Sequence, residues 1–268
     1  MNDNLKVMKN QIKKVALFAL CSFCCMEMTA QTRVIAHRGF WKAEGAAQNS
    51  IEALRQAAYS RVYGSEFDVL ITSDGVVVVN HDDTINGKVI EETPYAEIKD
   101  CKLPNGETLP TLRSYLEEGS KHTDLQLILE IKPHKKIENE NRAVETIVKM
   151  VRELKLEKQV EYISFSMNIC QQLEACTPES PIYYLNGDVS PREIKQKGFS
   201  GIDYHYEVLK NNPQWVEEAH QLGLKVNCWT VNKRSDMAEM IGSGVDFLTT
   251  DYPLAAKDYL SRKKNAIK

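Results

Sequence analysis

The chain has 268 residues, of which 43% are hydrophobic and 26% are charged, and its formal net charge at pH 7 is −3. This length admits one α/β barrel or two small domains, and the apolar content is sufficient for a sizeable core, which excludes an intrinsically disordered chain. Because charges of both signs nearly balance, the composition gives no indication of a protein that is specialised for nucleic acids or membrane surfaces.

The first 30 residues have the layout of a secretory signal peptide. Lysines at four of the first 14 positions precede an almost wholly apolar run at residues 15–26, and Met28-Thr29-Ala30 offers a small-residue cleavage site. We expect cleavage near Ala30, and therefore a secreted or periplasmic mature protein that is not stably inserted in a membrane. A retained N-terminal anchor is the alternative, which the shortness of the apolar run disfavours.

The cysteines that follow the predicted signal peptide are scattered. They are Cys101, Cys170, Cys176 and Cys228. Their spacing does not match a zinc site. An oxidising compartment would permit a Cys170–Cys176 disulfide, but we favour buried free thiols over that bridge.

From residue 33 onward, short β-branched segments alternate with amphipathic helical segments. The predicted strands are residues 33–37, 65–70, 125–131, 160–164, 182–185, 201–204, 225–228 and 246–249. The predicted helices are residues 50–60, 139–154, 168–175, 191–197, 213–222, 234–243 and 254–263. Eight strands separated by helices, without a break in composition, predict one closed α/β TIM (β/α)8 barrel over residues 31–268.

One region, at about residues 71–111, interrupts this alternation. It contains an extra strand at residues 76–80 and then a turn-rich stretch with the pairs Asn86-Gly87 and Asn105-Gly106. We therefore expect a small insertion after the second strand, at the mouth of the barrel.

Acidic residues share one face of the second and third barrel strands. Glu66 and Asp68 have the same parity on the second strand, and Glu130 lies on the inward face of the third, near the strand ends where barrel enzymes hold their chemistry. Isolated acidic pairs are usually solvent-exposed, but three carboxylates on adjacent strands would repel one another. A hard cation with oxygen ligands, Mg²⁺ or Ca²⁺, would relieve that repulsion, so the pattern predicts one divalent-cation site.

Basic and aromatic residues occupy other predicted strand ends. His37 closes the first strand and His81 closes the extra strand, and two imidazoles could transfer protons to and from a substrate. Arg38 and Lys132 are predicted to bind phosphate oxygens. Trp229, which has inward parity on the seventh strand, is interpreted either as a substrate contact or as an ordinary core aromatic.

The remaining histidines carry less information, because a single histidine is more often a packed or surface residue than a catalyst. We assign His122 and His220 to surface helices or loops, and keep His205 as a candidate contact at the rim of the site.

These motifs, in this order and at these strand positions, resemble those of the glycerophosphodiester phosphodiesterase family. They are His37-Arg38-Gly39, Glu66-x-Asp68, His81-Asp82 and Leu129-Glu130-Ile131-Lys132, followed by similar segments at residues 164–165, 229–232 and 249–253. Each motif is weak alone, but together they cover nearly all of the chain after residue 30.

The resemblance implies a TIM barrel that binds one divalent cation through Glu66, Asp68 and Glu130. It also implies that His37 and His81 act as acid and base, and we favour His37 as the acid. The implied reaction converts a small-molecule glycerophosphodiester into glycerol 3-phosphate and an alcohol. We expect no nucleic-acid partner. By analogy with related phospholipases, the glycerol 2-hydroxyl would attack first and form a cyclic phosphate that water then opens.

One position departs from the family pattern. Many members have Pro-Glu-Asn-Thr ahead of the first helix, whereas this chain has Ala47-Gln48-Asn49-Ser50. Gln48 removes one carboxylate from the expected surroundings of the cation, which puts the affinity and identity of the ion in question. Asn49 or Ser50 still provides a helix cap.

Two alternative functions stay open at this point. A glycosidase-like hydrolase on the same barrel would use Glu66 and Glu130 as its paired acids, but it leaves both histidines without a role. A non-catalytic phosphate-binding or metal-binding relative is the second alternative, and Gln48 keeps it open.

Overall fold

The computed structural model describes residues 31–266, so the predicted signal peptide lies outside the described residues. The strands of the described chain are β1 (Arg33–Ala36), β2 (Gly64–Ile71), β3 (Val77–Val79), β4 (Thr84–Ile85), β5 (Lys88–Val89), β6 (Gln126–Ile131), β7 (Val160–Ser164), β8 (Ile182–Tyr184), β9 (Gly201–His205), β10 (Lys225–Trp229) and β11 (Phe247–Thr250). Eight of them, β1, β2 and β6 to β11, pair in parallel, and β1 closes the ring because it pairs with both β11 and β2. The predicted TIM barrel is confirmed.

Helices lie between the barrel strands, as the alternation of the sequence predicts. They are α1 (Ile51–Tyr59), α2 (Leu112–Gly119), α3 (Ile137–Glu153), α4 (Met167–Cys176), α5 (Pro191–Gln196), α6 (Tyr206–Asn211), α7 (Trp215–Gln221), α8 (Arg234–Ser243) and α9 (Pro253–Ala266). All seven predicted helices are present, with ends that differ by at most three residues from the predicted ones.

Two helices, α2 and α6, were not predicted from the sequence. Helix α2 follows directly on the turn-rich stretch, and it begins where the Thr111 side chain accepts a hydrogen bond from the backbone N–H of Ser114. Helix α6 is short, and it begins where the His205 side chain accepts from the backbone N–H of Glu207. A histidine cap is unusual, so no familiar start signal in the sequence indicates this helix.

The parity of the strands separates two apolar regions. Leu127, Leu129 and Ile131 of β6 belong to the large core between the strands and the helices. Ile128 of the same strand instead belongs to a smaller apolar cluster inside the barrel, together with Ile35 and Phe247. Acidic residues that share the parity of Ile128 therefore face the barrel interior.

The insertion after β2 lies at the C-terminal end of the barrel. Strand β3 pairs antiparallel with the end of β2, with Val79 opposite Val69. The rest of the insertion contains the β4–β5 hairpin and two 3₁₀ turns (Ile90–Glu92 and Tyr95–Glu97), and it packs on a small core of its own. Because β3 runs back along β2, the residues that follow it return to the end of the barrel that carries the acidic residues.

The four described cysteines are free. Cys170 and Cys228 are buried, as expected, but Cys176 is exposed and Cys101 is half-buried, so the prediction of buried thiols is wrong for these two. The Cys170–Cys176 disulfide is not formed in this structure. Among residues 31–266, no helix is both long enough and apolar enough to cross a membrane.

Candidate active site

Three carboxylates converge inside the C-terminal end of the barrel. Asp68 of β2 and Glu130 of β6 are direct neighbours in the sheet register, and Glu66 lies two residues before Asp68 on the same face. One oxygen from each of these side chains lies within 4.8 Å of the other two. All three side chains are buried, so water cannot screen their mutual repulsion.

Burial, together with this repulsion, raises the pKa of two of the three carboxyls. Burial, followed by the charges of Asp68 and Glu130, raises the pKa of Glu66 well above its usual range. Burial and the charge of Asp68 also raise the pKa of Glu130, to about 7, although Lys132 opposes the shift. Burial alone would raise the pKa of Asp68 as well, but Lys132 and His81 outweigh it and the pKa is lowered.

The donor atoms of this triad suit a hard divalent cation. They are all carboxylate oxygens, and Glu66 Oε1 is buried without a hydrogen bond from any described residue. An orphaned, buried carboxylate oxygen is costly unless a positive charge meets it. Glu66, Asp68 and Glu130 could therefore hold one ion such as Mg²⁺ or Ca²⁺.

Two basic side chains border the triad. Lys132 Nζ lies 2.9 Å from Glu130 Oε1 and 3.2 Å from Asp68 Oδ1. The guanidinium of Arg38 donates to Gln48 Oε1 at 2.6 Å, and its Nε lies 3.8 Å from Asp68 Oδ2. Both predicted phosphate-binding side chains are thus beside the carboxylates, and Gln48 holds the Arg38 side chain.

The backbone at the end of β1 also contacts the triad. Arg38 has a positive φ of 54°, and its backbone N–H donates to Glu66 Oε2 at 2.7 Å. Asn49 has a φ of 60°, its side-chain amide donates to Asp68 Oδ2 at 2.9 Å, and its Oδ1 accepts from the backbone N–H of Asp68. Ser50, and not Asn49, caps helix α1. Asn49 is therefore a positioning residue for Asp68, which sequence reasoning had considered only as a helix cap.

His37 lies directly after β1 and is oriented by a residue that sequence reasoning missed. Its Nδ1 is 2.8 Å from Asp251 Oδ1, and Asp251 also accepts hydrogen bonds from Trp41 Nε1 at 2.9 Å and Asn232 Nδ2 at 2.7 Å. Burial by itself would raise the pKa of Asp251, but the hydrogen bonds from His37 and Trp41 lower it to about 2. An ionised Asp251 fixes the proton on Nδ1 of His37 and leaves Nε2 to act in the pocket.

The available signal for Asp251 was its place directly after the last barrel strand, in the segment 249–253 that already resembled the family. The sequence indicated that Asp251 follows a strand, but it did not indicate that His37 is its hydrogen-bond partner.

His81 follows β3 and reaches the other side of the triad. The backbone N–H of Asn80 donates to the carbonyl of Asp68 at 3.0 Å, which fixes the end of β3 beside the carboxylates. Burial lowers the pKa of His81, and although Asp68 opposes this shift, Lys132 reinforces it. The ring is therefore neutral near pH 7 and can accept a proton. Its Nδ1 is 2.8 Å from Asp82 Oδ1, an exposed carboxylate.

One pocket joins these groups. It is lined by His37, Arg38, Glu66, Asp68, His81, Glu130, Lys132, Ile163, Phe165, Leu185, Asp203, Trp229, Thr230 and Thr249. The structure thus brings to one cavity all eight residues that the sequence analysis considered for catalysis, cation binding, phosphate binding or substrate contact, whereas the rim candidate His205 is not in its lining. Asp203, a buried carboxyl of β9, is an additional lining residue that the sequence did not single out.

Trp229 forms part of the apolar wall of this pocket. Its ring makes edge-to-face contacts with Phe165, at a centroid distance of 5.4 Å, and with His205, at 5.1 Å. Its Nε1 donates to the backbone carbonyl of Asp203 at 2.9 Å. Trp229 therefore both packs in the wall and faces the cavity, and its contact with a substrate stays a prediction.

The other histidines lie outside the pocket lining. The ring of His205 packs edge-to-face against Trp229, and its side chain caps helix α6. His220 is exposed on α7 beside Asp246, and half-buried His122 lies 3.7 Å from Glu118 after helix α2. The surface assignments of His122 and His220 agree with these positions.

Comparisons with known proteins agree with this geometry. Residues 37–255 match the Glycerophosphoryl diester phosphodiesterase family. A glycerophosphodiester phosphodiesterase of Caldanaerobacter subterraneus subsp. tengcongensis is 31% identical over 244 residues, which cover 83% of this chain and 95% of that protein.

Two solved structures are similar over most of the barrel. A glycerophosphodiester phosphodiesterase from Parabacteroides distasonis has 47% identity and a TM-score of 0.87, and the match covers 88% of this chain and 99% of that one. An Oleispira antarctica phosphodiesterase, solved in complex with the product sn-glycerol-3-phosphate, has 26% identity and a TM-score of 0.74 over 85% of this chain and 97% of that one. The glycosidase alternative has no support from these relatives. The chain belongs to the glycerophosphoryl diester phosphodiesterase family and is a phosphoric diester hydrolase.

Proposed function

We propose that this enzyme hydrolyses glycerophosphodiesters to glycerol 3-phosphate and an alcohol, with a divalent cation and two histidines. The observation that carries the proposal is the convergence of three buried carboxylates, two histidines and two basic side chains on one pocket. The product named for the Oleispira antarctica relative, sn-glycerol-3-phosphate, supports the same substrate class.

The proposed cation is Mg²⁺ or Ca²⁺, bound by Glu66, Asp68 and Glu130. When bound, it would neutralise charge on the phosphate and make a nearby hydroxyl more acidic. Gln48 is the residue that departs from the family pattern, but it contacts Arg38 and not the carboxylates in the observed hydrogen bonds. The replacement is therefore compatible with a cation held by the other three side chains.

The basic residues have the geometry to bind the phosphate. Lys132 Nζ and the guanidinium of Arg38 both line the pocket next to the carboxylates, so an anionic phosphate at the triad would lie within their reach. Their positive charges would stabilise the charge that develops on phosphate oxygens during the reaction.

The two histidines have different surroundings, which suits different roles. His81 is neutral near pH 7, so we assign it as the base that removes the proton from the attacking hydroxyl. Asp251 holds Nδ1 of His37 at 2.8 Å and leaves Nε2 free to face the pocket, so we assign His37 as the acid that gives a proton to the oxygen of the leaving alcohol. In this scheme the glycerol 2-hydroxyl displaces the alcohol, and water then opens the cyclic phosphate with the roles of the two rings reversed.

We further propose that the protein is secreted or periplasmic after cleavage near Ala30. The support is the sequence alone: a basic segment, an apolar run at residues 15–26 and a small-residue site. Determination of the N-terminal residue of the protein recovered from its native cells tests this. Gln31 or a close neighbour is expected at the N-terminus, and an intact Met1 in the recovered protein would exclude cleavage.

The hydrolase activity is tested by incubating the purified protein with glycerophosphocholine, with and without Mg²⁺ or Ca²⁺, and measuring choline. We expect choline and glycerol 3-phosphate in equal amounts, and we expect a chelator to abolish their release. No release with any cation would favour a non-catalytic relative, and release that resists the chelator would contradict the proposed metal dependence.

A further inference from the structure

Asp203 is a pocket residue to which neither the family motifs nor the mechanism assigns a role. It lies on β9, it is 2% exposed, and it lines the same cavity as the carboxylate triad. Its Oδ1 is buried without a hydrogen bond from any described residue. Such an atom destabilises the folded chain unless a ligand or an ordered water forms a hydrogen bond with it.

The neighbours of Asp203 are already engaged with other groups. Asn227 is directly opposite it on β10, but the Asn227 amide donates to Thr249 Oγ1 at 2.9 Å. The indole of Trp229 donates to the backbone carbonyl of Asp203 and not to its side chain. The rest of the wall nearby is apolar, from Ile163 and Leu185. The carboxyl therefore lies between an apolar wall and the Asn227–Thr249 pair, and its Oδ1 is left without a partner among the described residues.

The protonation state of Asp203 indicates what it could bind. Burial raises the pKa of Asp203 to about 8, although the amide of Asn227 opposes the shift, and the charges of Glu130 and Glu161 add smaller increases. The carboxyl is thus mostly protonated near pH 7, so it can both donate and accept a hydrogen bond. A hydroxyl group has the same two capacities and is its natural partner, whereas a cationic head group would favour an ionised carboxylate.

The depth of Asp203 indicates which part of the substrate it meets. It precedes His205, the last residue of β9, by two positions and so lies roughly 7 Å deeper along the strand. In a glycerophosphodiester the alcohol varies and needs the open mouth, whereas the glycerol is constant and can occupy the enclosed part. We propose that Asp203 binds the terminal hydroxyl of the glycerol moiety and thereby selects glycerol over groups that lack this hydroxyl. This inference rests on the proposed function.

The test compares glycerophosphocholine with an analogue in which hydrogen replaces the terminal glycerol hydroxyl and the 2-hydroxyl is kept. The wild-type enzyme should prefer the natural substrate in kcat/KM by at least about 10-fold to 100-fold, as expected for a site that loses a hydrogen-bond partner. Asp203→Leu should lower kcat/KM for glycerophosphocholine by about the same factor and leave the analogue nearly unchanged, so the preference disappears. Asp203→Asn, which keeps a donor and an acceptor, should retain most of the preference.

Glu161→Gln is the matched control. Glu161 is also a buried carboxyl of the barrel interior, but it accepts a hydrogen bond from the Tyr63 hydroxyl and does not line the pocket. This variant should keep the wild-type preference, because the charge of Glu161 makes the smallest of the contributions to the pKa of Asp203. If Asp203→Leu lowers kcat/KM equally for both substrates, so that the ratio of the two kcat/KM values is unchanged, Asp203 has only a packing or water-binding role. The inference is then wrong.

A binding measurement separates this inference from the proposed function. If the wild-type enzyme cleaves neither substrate, the proposed function fails, and calorimetry with sn-glycerol 3-phosphate and its terminal deoxy analogue then decides the matter. Tighter binding of glycerol 3-phosphate by wild type, lost in Asp203→Leu and kept in Glu161→Gln, supports the role of Asp203. Equal affinity of wild type for the two ligands overturns it.

Discussion

The two histidines of the site are held by different kinds of partner. His37 bonds to Asp251, a carboxylate that is itself held by Trp41 and Asn232, whereas His81 bonds to the exposed side chain of Asp82. A carboxylate fixed by several hydrogen bonds orients an imidazole much better than one that is free to move in water. Catalysis should therefore depend more strongly on Asp251 than on Asp82.

Replacing Asp251 should damage catalysis without unfolding the protein. In Asp251→Asn the side chain keeps its size but no longer fixes the Nδ1 proton of His37, so kcat should fall by roughly 10²–10⁴-fold. Asp82→Asn is the matched control and should lose less than about 10-fold, because the exposed Asp82 contributes little. Steady-state kinetics and melting temperatures check both variants, and a similar loss in the two would contradict the assigned role of Asp251.

Removal of His81 should separate chemistry from cation binding. His81→Ala removes the proposed base, so turnover should fall by at least about 10²–10⁴-fold, while the three carboxylates and the fold remain. Choline release and calorimetry with Mg²⁺ or Ca²⁺ measure the two properties. Substantial residual activity would remove the catalytic assignment, whereas loss of cation binding would show that the ring supports the carboxylates.

At the scale of elements, the site depends on the close approach of neighbouring strands. Strand β9 begins with Gly201, and a Cβ atom added there would lie 2.1 Å from the backbone carbonyl oxygen of Lys225 in β10. This glycine is required because a backbone atom, which cannot move aside like a side chain, occupies the space. The same two strands carry Asp203 and Trp229 at the pocket.

Gly201→Ala should consequently destabilise the barrel and disturb the pocket together. We expect a loss of about 1–3 kcal/mol in the free energy of unfolding, with lower activity, because β9 and β10 must separate. Gly242→Ala, in helix α8, is the control: nothing lies within 4 Å of its added Cβ, and it should be neutral or stabilising by up to about 1 kcal/mol. Chemical denaturation compares the two, and equal stability of both variants would show that the strands adjust freely.

For the whole molecule, the buried carboxylates should link the binding of the proposed cation to stability. The three carboxylates Glu66, Asp68 and Glu130 are close together in the folded barrel but not in the unfolded chain. A cation that binds them therefore binds only the folded state and stabilises it. At a free cation concentration 100 times Kd, this stabilisation is about 2.7 kcal/mol.

The melting temperature should therefore rise with added Mg²⁺ or Ca²⁺ and return to its initial value with a chelator. In Glu130→Gln the rise should be much smaller, and calorimetry should show weaker binding. Glu140→Gln is the control, because Glu140 is equally buried but is held by Ser166 and Asn168 away from the triad. A rise of the same size in Glu130→Gln as in wild type would exclude Glu130 as a ligand.

The sequence by itself determined the barrel and most of the polar side chains that line its pocket. Each strand has its own period of two and each helix its own apolar face, so strand number, inward parity and the polar residues at strand ends can all be read locally. This is why Glu66, Asp68 and Glu130 were predicted to converge, and why His81 was expected at the mouth although it belongs to an insertion.

Only the tertiary structure decided which residues touch across the ring. Asp251 is 214 residues from His37, and the two meet because β11 closes against β1. Asn49 reaches Asp68 through a left-handed turn, and Asp203 was brought to the pocket without a hydrogen-bond partner, which no local pattern indicates. The physical reason is that periodicity fixes the side of a strand to which a residue points, whereas its partner and its burial depend on barrel closure and on every neighbouring side chain.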